Sequence, residues 1–413
     1  MVKILAKYNC LQSLKKEGSP IIIAAAVREV EAIIKACLDA GIVVSALCDS
    51  EKRKSEKIIC GLEVIHTPNL SERFPKARII IAYHDIQKCL DPLSELGYDD
   101  FYSPLELLEN YDLGKHQYQI SQSFMKEKIE VNKKSHQYYF DGDKTYMRSL
   151  DVMVTTKCSL KCANCSNLMQ YYTDAKNTDH DDILKALDIL YENVDYISEF
   201  RVIGGEPLMN KGWADVVNGI SDKNPEAKIF VYTNATIAPK DDHLKSFEGK
   251  KVNFTITDYG KLSKNVDKMI EKLDHYNISY NRSPPENWVD CSRIHHHKRS
   301  VSKLEEVFKQ CCSTQLYTLL NGRLYTCPFI ANAYTLKAVP NNSADYIELL
   351  SETKTDNFNK KIRNFIKGRK FFPACDFCDG RPYDPSSSVG YDGRGMIEGG
   401  LQVAKPVPYK IYN

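Results

Sequence analysis

A chain of 413 residues exceeds the usual size of one domain, so two or three units with at least one sizeable core are expected. Its 56 basic and 54 acidic side chains leave a formal net charge of +2, too near balance to indicate a nucleic-acid partner. The opening MVKILAKYNC lacks a secretory pattern and no stretch offers about 18 consecutive apolar residues, so a cytoplasmic address without membrane association is expected.

In chain order, PIIIAAAVREVEAIIKACLDAGIVVSALCDS reads as a buried strand at 21–25, a helix ending at Gly41, and a second strand at 42–48 stopped by Asp49. Short strands follow at 63–66 and 78–81, and ELGYDDFYSPLELL supplies a closing strand. The order resembles the small Rossmann-like domains at the front of some sugar-modifying enzymes and sugar acyltransferases. A dinucleotide site would need glycines in the turn after the first strand, where this chain has AAAVRE, so Asp49 is not expected to hold a nicotinamide ribose. The expected boundary is at residue 125, giving a Rossmann-like domain at 1–125 and a polar, tyrosine-rich connecting segment with a helix at 126–145.

Fourteen cysteines in a chain read as cytoplasmic argue against a disulfide framework. Cys10, Cys37, Cys48, Cys60 and Cys89 are scattered, as small buried hydrophobes are. Cys158, Cys162 and Cys165, then Cys311, Cys312, Cys327, Cys375 and Cys378, form local groups that suggest metal ligation.

The strand SLDVMVTTK at 149–157 delivers the chain into TKCSLKCANCSNLM, and Thr178 with Asp181 looks like a capping box opening the next helix. The loop thus lies at the carboxyl end of a strand, where α/β folds place their chemistry. Three thiols in one turn leave a zinc ion short of a fourth ligand, whereas a cubane cluster can use three cysteines and keep one iron open. Further on, RVIGGEPLMN reads as a strand followed by Gly204, Gly205, Glu206 and Pro207; the glycines leave backbone open toward a small ligand, and Glu206 can accept from an ammonium group.

With these motifs the chain resembles the radical S-adenosylmethionine enzymes. The resemblance implies that Cys158, Cys162 and Cys165 hold a [4Fe-4S] cluster whose unique iron is chelated by S-adenosyl-L-methionine, and that Gly204, Gly205, Glu206 and Pro207 contact the methionyl amino group. Asn164 stands where that family often has an aromatic residue beside the adenine. Strands ending in Asn234 and Asp258, a helix with Val266, Met269, Ile270 and Leu273 in its core stripe, and a fifth strand in ISYNRSP complete a partial (β/α)6 barrel over 146–300. Asn234 and Asp258 could face cosubstrate or substrate, although polar residues also commonly end strands.

FKQCCSTQLYTLLNGRLYTCPF places two adjacent thiols before a hairpin turned at Asn321 and Gly322, with Cys327 on its second strand. Cys312 or Cys311, together with Cys327, Cys375 and Cys378, makes a four-thiol set that suits zinc or an iron-sulfur centre alike. This resembles the abbreviated, twitch-type form of the SPASM-like auxiliary domain, implying a second, auxiliary [4Fe-4S] cluster in a small C-terminal α+β domain at 301–413, with Cys312 favoured over Cys311. Cys291 stands apart as a hydrogen-atom donor or a packing residue; Glu286, Asp290, His295, His296 and His297 are candidates for binding a polar substrate or acting as a base. The basic runs HHHKR and KGRK read as solvated surface.

The resemblance implies abstraction of hydrogen from a substrate carbon by a 5'-deoxyadenosyl radical. The front domain makes a sugar or nucleotide-linked sugar the expected substrate, with dehydrogenation toward the auxiliary cluster as acceptor and a flavodoxin- or ferredoxin-like electron donor. The alternatives are a sugar epimerase using Cys291, a peptide-maturation enzyme, and a non-enzymatic metal scaffold.

Overall fold

The computed structural model describes residues 11–84, 86–109, 111–141, 144–314, 316–350, 357–382, 385, 391–403, 405 and 407–412. Cys10 lies outside them. The chain divides into two compact units, 1–144 and 145–413.

The first unit is built on a six-stranded sheet of order β3-β4-β2-β1-β5-β6, with β1 Ile21–Ala24, β2 Ala46–Asp49, β3 Ile58–Ile59, β4 Leu62–His66, β5 Arg78–Ile81 and β6 Phe101–Tyr102. All pairings are parallel except β3 with β4. Side chains alternate across β1: Ile21 and Ile23 join one apolar cluster, Ile22 and Ala24 another, so both faces are covered. The helix Val30–Asp39 ends before Gly41, whose φ of +73° turns the chain away. Segment 42–45 stays outside the sheet and Val43 is exposed, so β2 begins later than its apolar run suggests. The helix Gln122–Phe140 belongs to this unit: Asn132 donates to the Ala82 carbonyl at 2.6 Å and His136 bonds Ser103.

The second unit carries an eight-stranded sheet of order β11-β10-β9-β8-β7-β13-β14-β15. Its strands are β7 Tyr146–Thr155, β8 Tyr196–Gly204, β9 Lys228–Thr233, β10 Val252–Thr257, β11 Ser279–Ser283, β13 Leu316–Leu320, β14 Arg323–Tyr325 and β15 Tyr346–Glu348. Two short strands, β12 Trp288–Val289 and β16 Met396–Ile397, pair separately. Strands β7 to β11 are parallel and follow chain order, joined through helices that include His180–Asn193, Trp213–Lys223 and Val266–His275. This is the α/β barrel-type half expected from sequence.

The hairpin does not form a sheet of its own. Strand β13 lies parallel to β7, so the segment bearing the later cysteines extends the barrel sheet. Its second strand ends at Tyr325 rather than running to Phe329. Cys327 caps the helix Pro328–Thr335, and Pro328 fits the first helical turn. The first helix after the cysteine loop is capped by Asp179, not Thr178: the Asp179 carboxylate accepts from Asp181 N and Asp182 N, while the Thr178 hydroxyl donates to the Met153 carbonyl. Among the described residues no helix is long and apolar enough to cross a membrane.

Candidate active site at the cysteine loop

Strand β7 ends at Thr155 and releases the chain into the loop holding Cys158, Cys162 and Cys165. Close packing against the strand-end loop of β8 shapes it. A Cβ on Gly204 would lie 2.4 Å from the Thr155 carbonyl oxygen, and one on Gly205 would lie 2.2 Å from that of Lys157 and 2.7 Å from the Cys158 Cβ. Gly205 N donates to Thr155 O at 3.0 Å, and Glu206 N to Lys157 O at 2.8 Å. The glycines therefore serve the approach of two backbones, a different reason for their size from openness to a ligand.

Glu206 is fully buried, and its carboxylate binds the chain itself. Oε1 accepts from the Thr233 hydroxyl at 2.9 Å and from Leu208 N at 3.2 Å, and Oε2 accepts from Asn234 N at 2.8 Å. Burial raises its pKa to about 7 against the pull of these donors. Pro207 follows in a short 3₁₀ turn. Asn234 sits beside the loop, its Nδ2 3.2 Å from Ser159 Oγ and 3.8 Å from Cys158 Sγ. Asp258 is occupied elsewhere: Oδ2 takes the Arg282 guanidinium at 2.6 Å and Oδ1 caps Gly260 N at 2.9 Å. Its neighbour Tyr259 lies within electrostatic range of all three cysteines, a proximity the sequence reading missed.

The C-terminal tail closes over the loop. Residues 401–403 run antiparallel to 161–163, with Val403 N donating to Lys161 O at 2.7 Å and Gln402 Oε1 accepting from Lys161 N at 2.7 Å. Gln402 Nε2 points at Cys162 Sγ from 3.2 Å. Asn164 is engaged by the Ser292 hydroxyl at 3.1 Å. Burial pushes the Cys158 thiol up to about 12 and Cys162 up to about 11, so ligation there would have to displace protons.

The later cysteines also converge. Cys327 sits electrostatically against Cys312, Cys375 and Cys378. Cys311 touches the same group and interacts with Cys312. Cys291 is not isolated in space: it is buried against Cys378 and Cys312. Arg381 lies among these sulfurs with its Nη1 buried and without a hydrogen bond. Burial opposes its charge, but Cys291, Cys312, Cys327 and Cys378 more than offset that and hold its pKa well above the usual value. The four-thiol set suits zinc and an iron-sulfur centre alike.

Strand alternation lines the barrel sheet with a polar face that was also missed. Asp151 on β7 is in register with Arg201 on β8 and Thr318 on β13. Arg201 Nε stands 3.1 Å from Asp151 Oδ1, and its guanidinium lies 4.8 Å from the Tyr232 ring centroid. Burial raises the Asp151 carboxyl to about 6 despite Arg201. A cavity of 600 Å³ lined by Tyr191, Tyr196 and Lys223 lies at the other end of β8 from Gly204, away from this chemistry. In the first unit, Asp49 is engaged by Ala26 N at 2.7 Å, Glu51 N at 2.8 Å and Lys54 Nζ at 3.1 Å.

Residues 152–323 match the family model described as the Radical SAM superfamily. A GTP 3',8-cyclase of Corynebacterium glutamicum (strain R) is 26% identical over 150 residues, which cover 35% of this chain and 34% of that one. The match thus spans about a third of that relative's length. Solved structures with similarity include BtrN in complex with AdoMet and 2-DOIA (17% identity, 61% of this chain and 98% of that one, TM-score 0.35). Another is native anSMEcpe with bound AdoMet (13% identity, 59% and 93%, TM-score 0.37).

Proposed function

We propose, from the premise that residues 152–323 form a domain of the Radical SAM superfamily, that the chain is an oxidoreductase acting on a sugar or nucleotide-linked sugar. The observation that carries the proposal is the pair of cysteine groups in one unit, with Arg381 in electrostatic range of both and of the buried Asp151 and Arg201. Cys158, Cys162 and Cys165 would hold a [4Fe-4S] cluster with S-adenosyl-L-methionine, and Cys312, Cys327, Cys375 and Cys378 an auxiliary one. When bound, the first cluster and its cosubstrate supply a 5'-deoxyadenosyl radical, and the auxiliary cluster an electron acceptor.

The chain's own residues contribute position and shielding. Gly204, Gly205 and Glu206 fix the cysteine loop, Gln402 and the tail cover it, and Asn234 and Tyr259 stand at its side. Asp151, Arg201 and Tyr232 offer hydrogen-bonding groups suited to a hydroxylated substrate rather than an apolar one. Arg381 places a buried positive charge beside the auxiliary cysteines, compatible with a negatively charged cluster.

The test is reductive cleavage of S-adenosylmethionine by the anaerobically reconstituted protein, presented with a panel of deuterated sugars and nucleotide-sugars. Deuterium in 5'-deoxyadenosine with a ketone product is the expected result; cleavage that no sugar stimulates contradicts it. Epimerisation is the second reading, favoured by the buried Cys291: its S–H would return a hydrogen atom to the substrate radical, and the resulting thiyl radical would take an electron from the flavodoxin- or ferredoxin-like donor and a proton. It predicts solvent deuterium in an unoxidised product, lost in Cys291→Ala.

A further inference from the structure

Segment 294–299 runs antiparallel to 376–378: Ile294 bridges Cys378, and His297 N donates to Asp376 O at 2.9 Å. His296 turns to Asp376 at 2.8 Å and stacks on Phe377. His295 and His297 turn to the other side, their ring centroids 3.8 Å apart. There Asp379 Oδ1 lies 3.7 Å from His295 Nδ1 and 3.3 Å from His297 Nε2. Asp379 is fully buried, yet neither its Oδ1 nor His297 Nε2 is aligned for a hydrogen bond. One nitrogen of each ring and one carboxylate oxygen thus lie within 4.8 Å of one another, with the His297 and Asp379 atoms close enough to bond yet not bonded. A tetrahedral zinc ion with bonds of about 2.0–2.1 Å separates its ligand atoms by about 3.3–3.4 Å, close to the spacing here.

The surroundings match as well. His297 Nδ1 is 3.1 Å from Asp392 Oδ2, which Arg299 also holds, and Asp379 Oδ2 is 2.9 Å from Arg293 Nη2. Metal-bound histidines characteristically donate their second nitrogen to such a carboxylate. An imidazolium of His297 bridging Asp379 and Asp392 would instead need an aligned Nε2–H···Oδ1 bond, which is missing.

We propose that His295, His297 and Asp379 form a binding site for a zinc-type divalent cation, separate from both cysteine sets. Two imidazoles and one carboxylate select zinc over calcium or magnesium. The His295 side chain is half exposed, so the group is open to solvent on that side. An ion there ties segment 294–299 to the loop bearing Cys375 and Cys378.

The test is zinc, iron and sulfide quantification on the full chain, reconstituted anaerobically with iron and sulfide, exposed to zinc sulfate and desalted, followed by zinc K-edge absorption. The expected result is about one zinc per chain with nitrogen and oxygen neighbours near 2.0 Å and no sulfur shell near 2.3 Å. His295→Ala, at an exposed position, is expected to lose the zinc while iron and sulfide stay unchanged. Asp392→Asn is expected to weaken zinc affinity by roughly tenfold or more. Wild-type protein without stoichiometric zinc, a sulfur shell around it, or His295→Ala binding zinc like wild type would overturn the proposal.

Discussion

Ala25 holds a φ of +82° in the glycine-free turn after β1, a conformation that costs an L-residue about 1 kcal/mol relative to glycine. Ala25→Gly should therefore raise the stability of the first unit by about that amount in urea unfolding; a loss would contradict the strain. His136, fully buried, is pushed down to about 3 by burial, with the Tyr83 carbonyl only partly compensating. Its folded pKa lies below its unfolded value, so the unfolded chain binds the extra proton. Stability is fully present above about pH 6.5 and falls as pH drops toward 3, by on the order of a few kcal/mol. Stability measured at pH 7 and pH 5 should differ less in His136→Gln than in wild type. Gly205 has no room for a methyl group against Lys157 and Cys158. Gly205→Ala should cost the protein roughly half its iron, from the first site, while the later cysteines keep theirs; full iron content would mean that the loop can move aside.

At the scale of elements, the tail strand at 401–403 matters most, because it sets an amide against Cys162 Sγ. Hydrogen bonds to cluster sulfurs favour the more negative, reduced state. Gln402→Leu should shift the first cluster's reduction potential downward in an EPR-monitored titration, and an unchanged potential would place Gln402 outside its influence. The sequence could not reveal this contact, since Gln402 and Cys162 lie 240 positions apart. The cysteine loop, the two glycines and the NG hairpin were legible because each is a local pattern with a local physical cause. Asp151 and Arg201 left a fainter trace, as charged residues at alternating positions inside SLDV and EFRV, strands otherwise apolar enough to be fully buried. The cap at Asp179 and the early end of β14 were misplaced by one to a few residues, where a neighbouring side chain or proline redirected the backbone.

For the whole molecule, the parallel α/β character of both units followed from apolar strand runs alternating with helical stretches. The joining of the hairpin to the barrel sheet through β13 and β7 did not, because strand partners across long separations carry no local mark. That joining brings the later cysteines into the same unit as the first three. Arg381 and Cys291, unremarkable or solitary in sequence, become part of the second group only through it. The proposed function requires that the two groups hold two iron-sulfur clusters. Its most direct test is iron and sulfide quantification after anaerobic reconstitution of wild type and of the triple alanine variant at Cys158, Cys162 and Cys165. Wild type is expected to hold about eight iron and eight sulfide and the variant about half of each; iron confined to the first site, with zinc in the second, would overturn the two-cluster assignment.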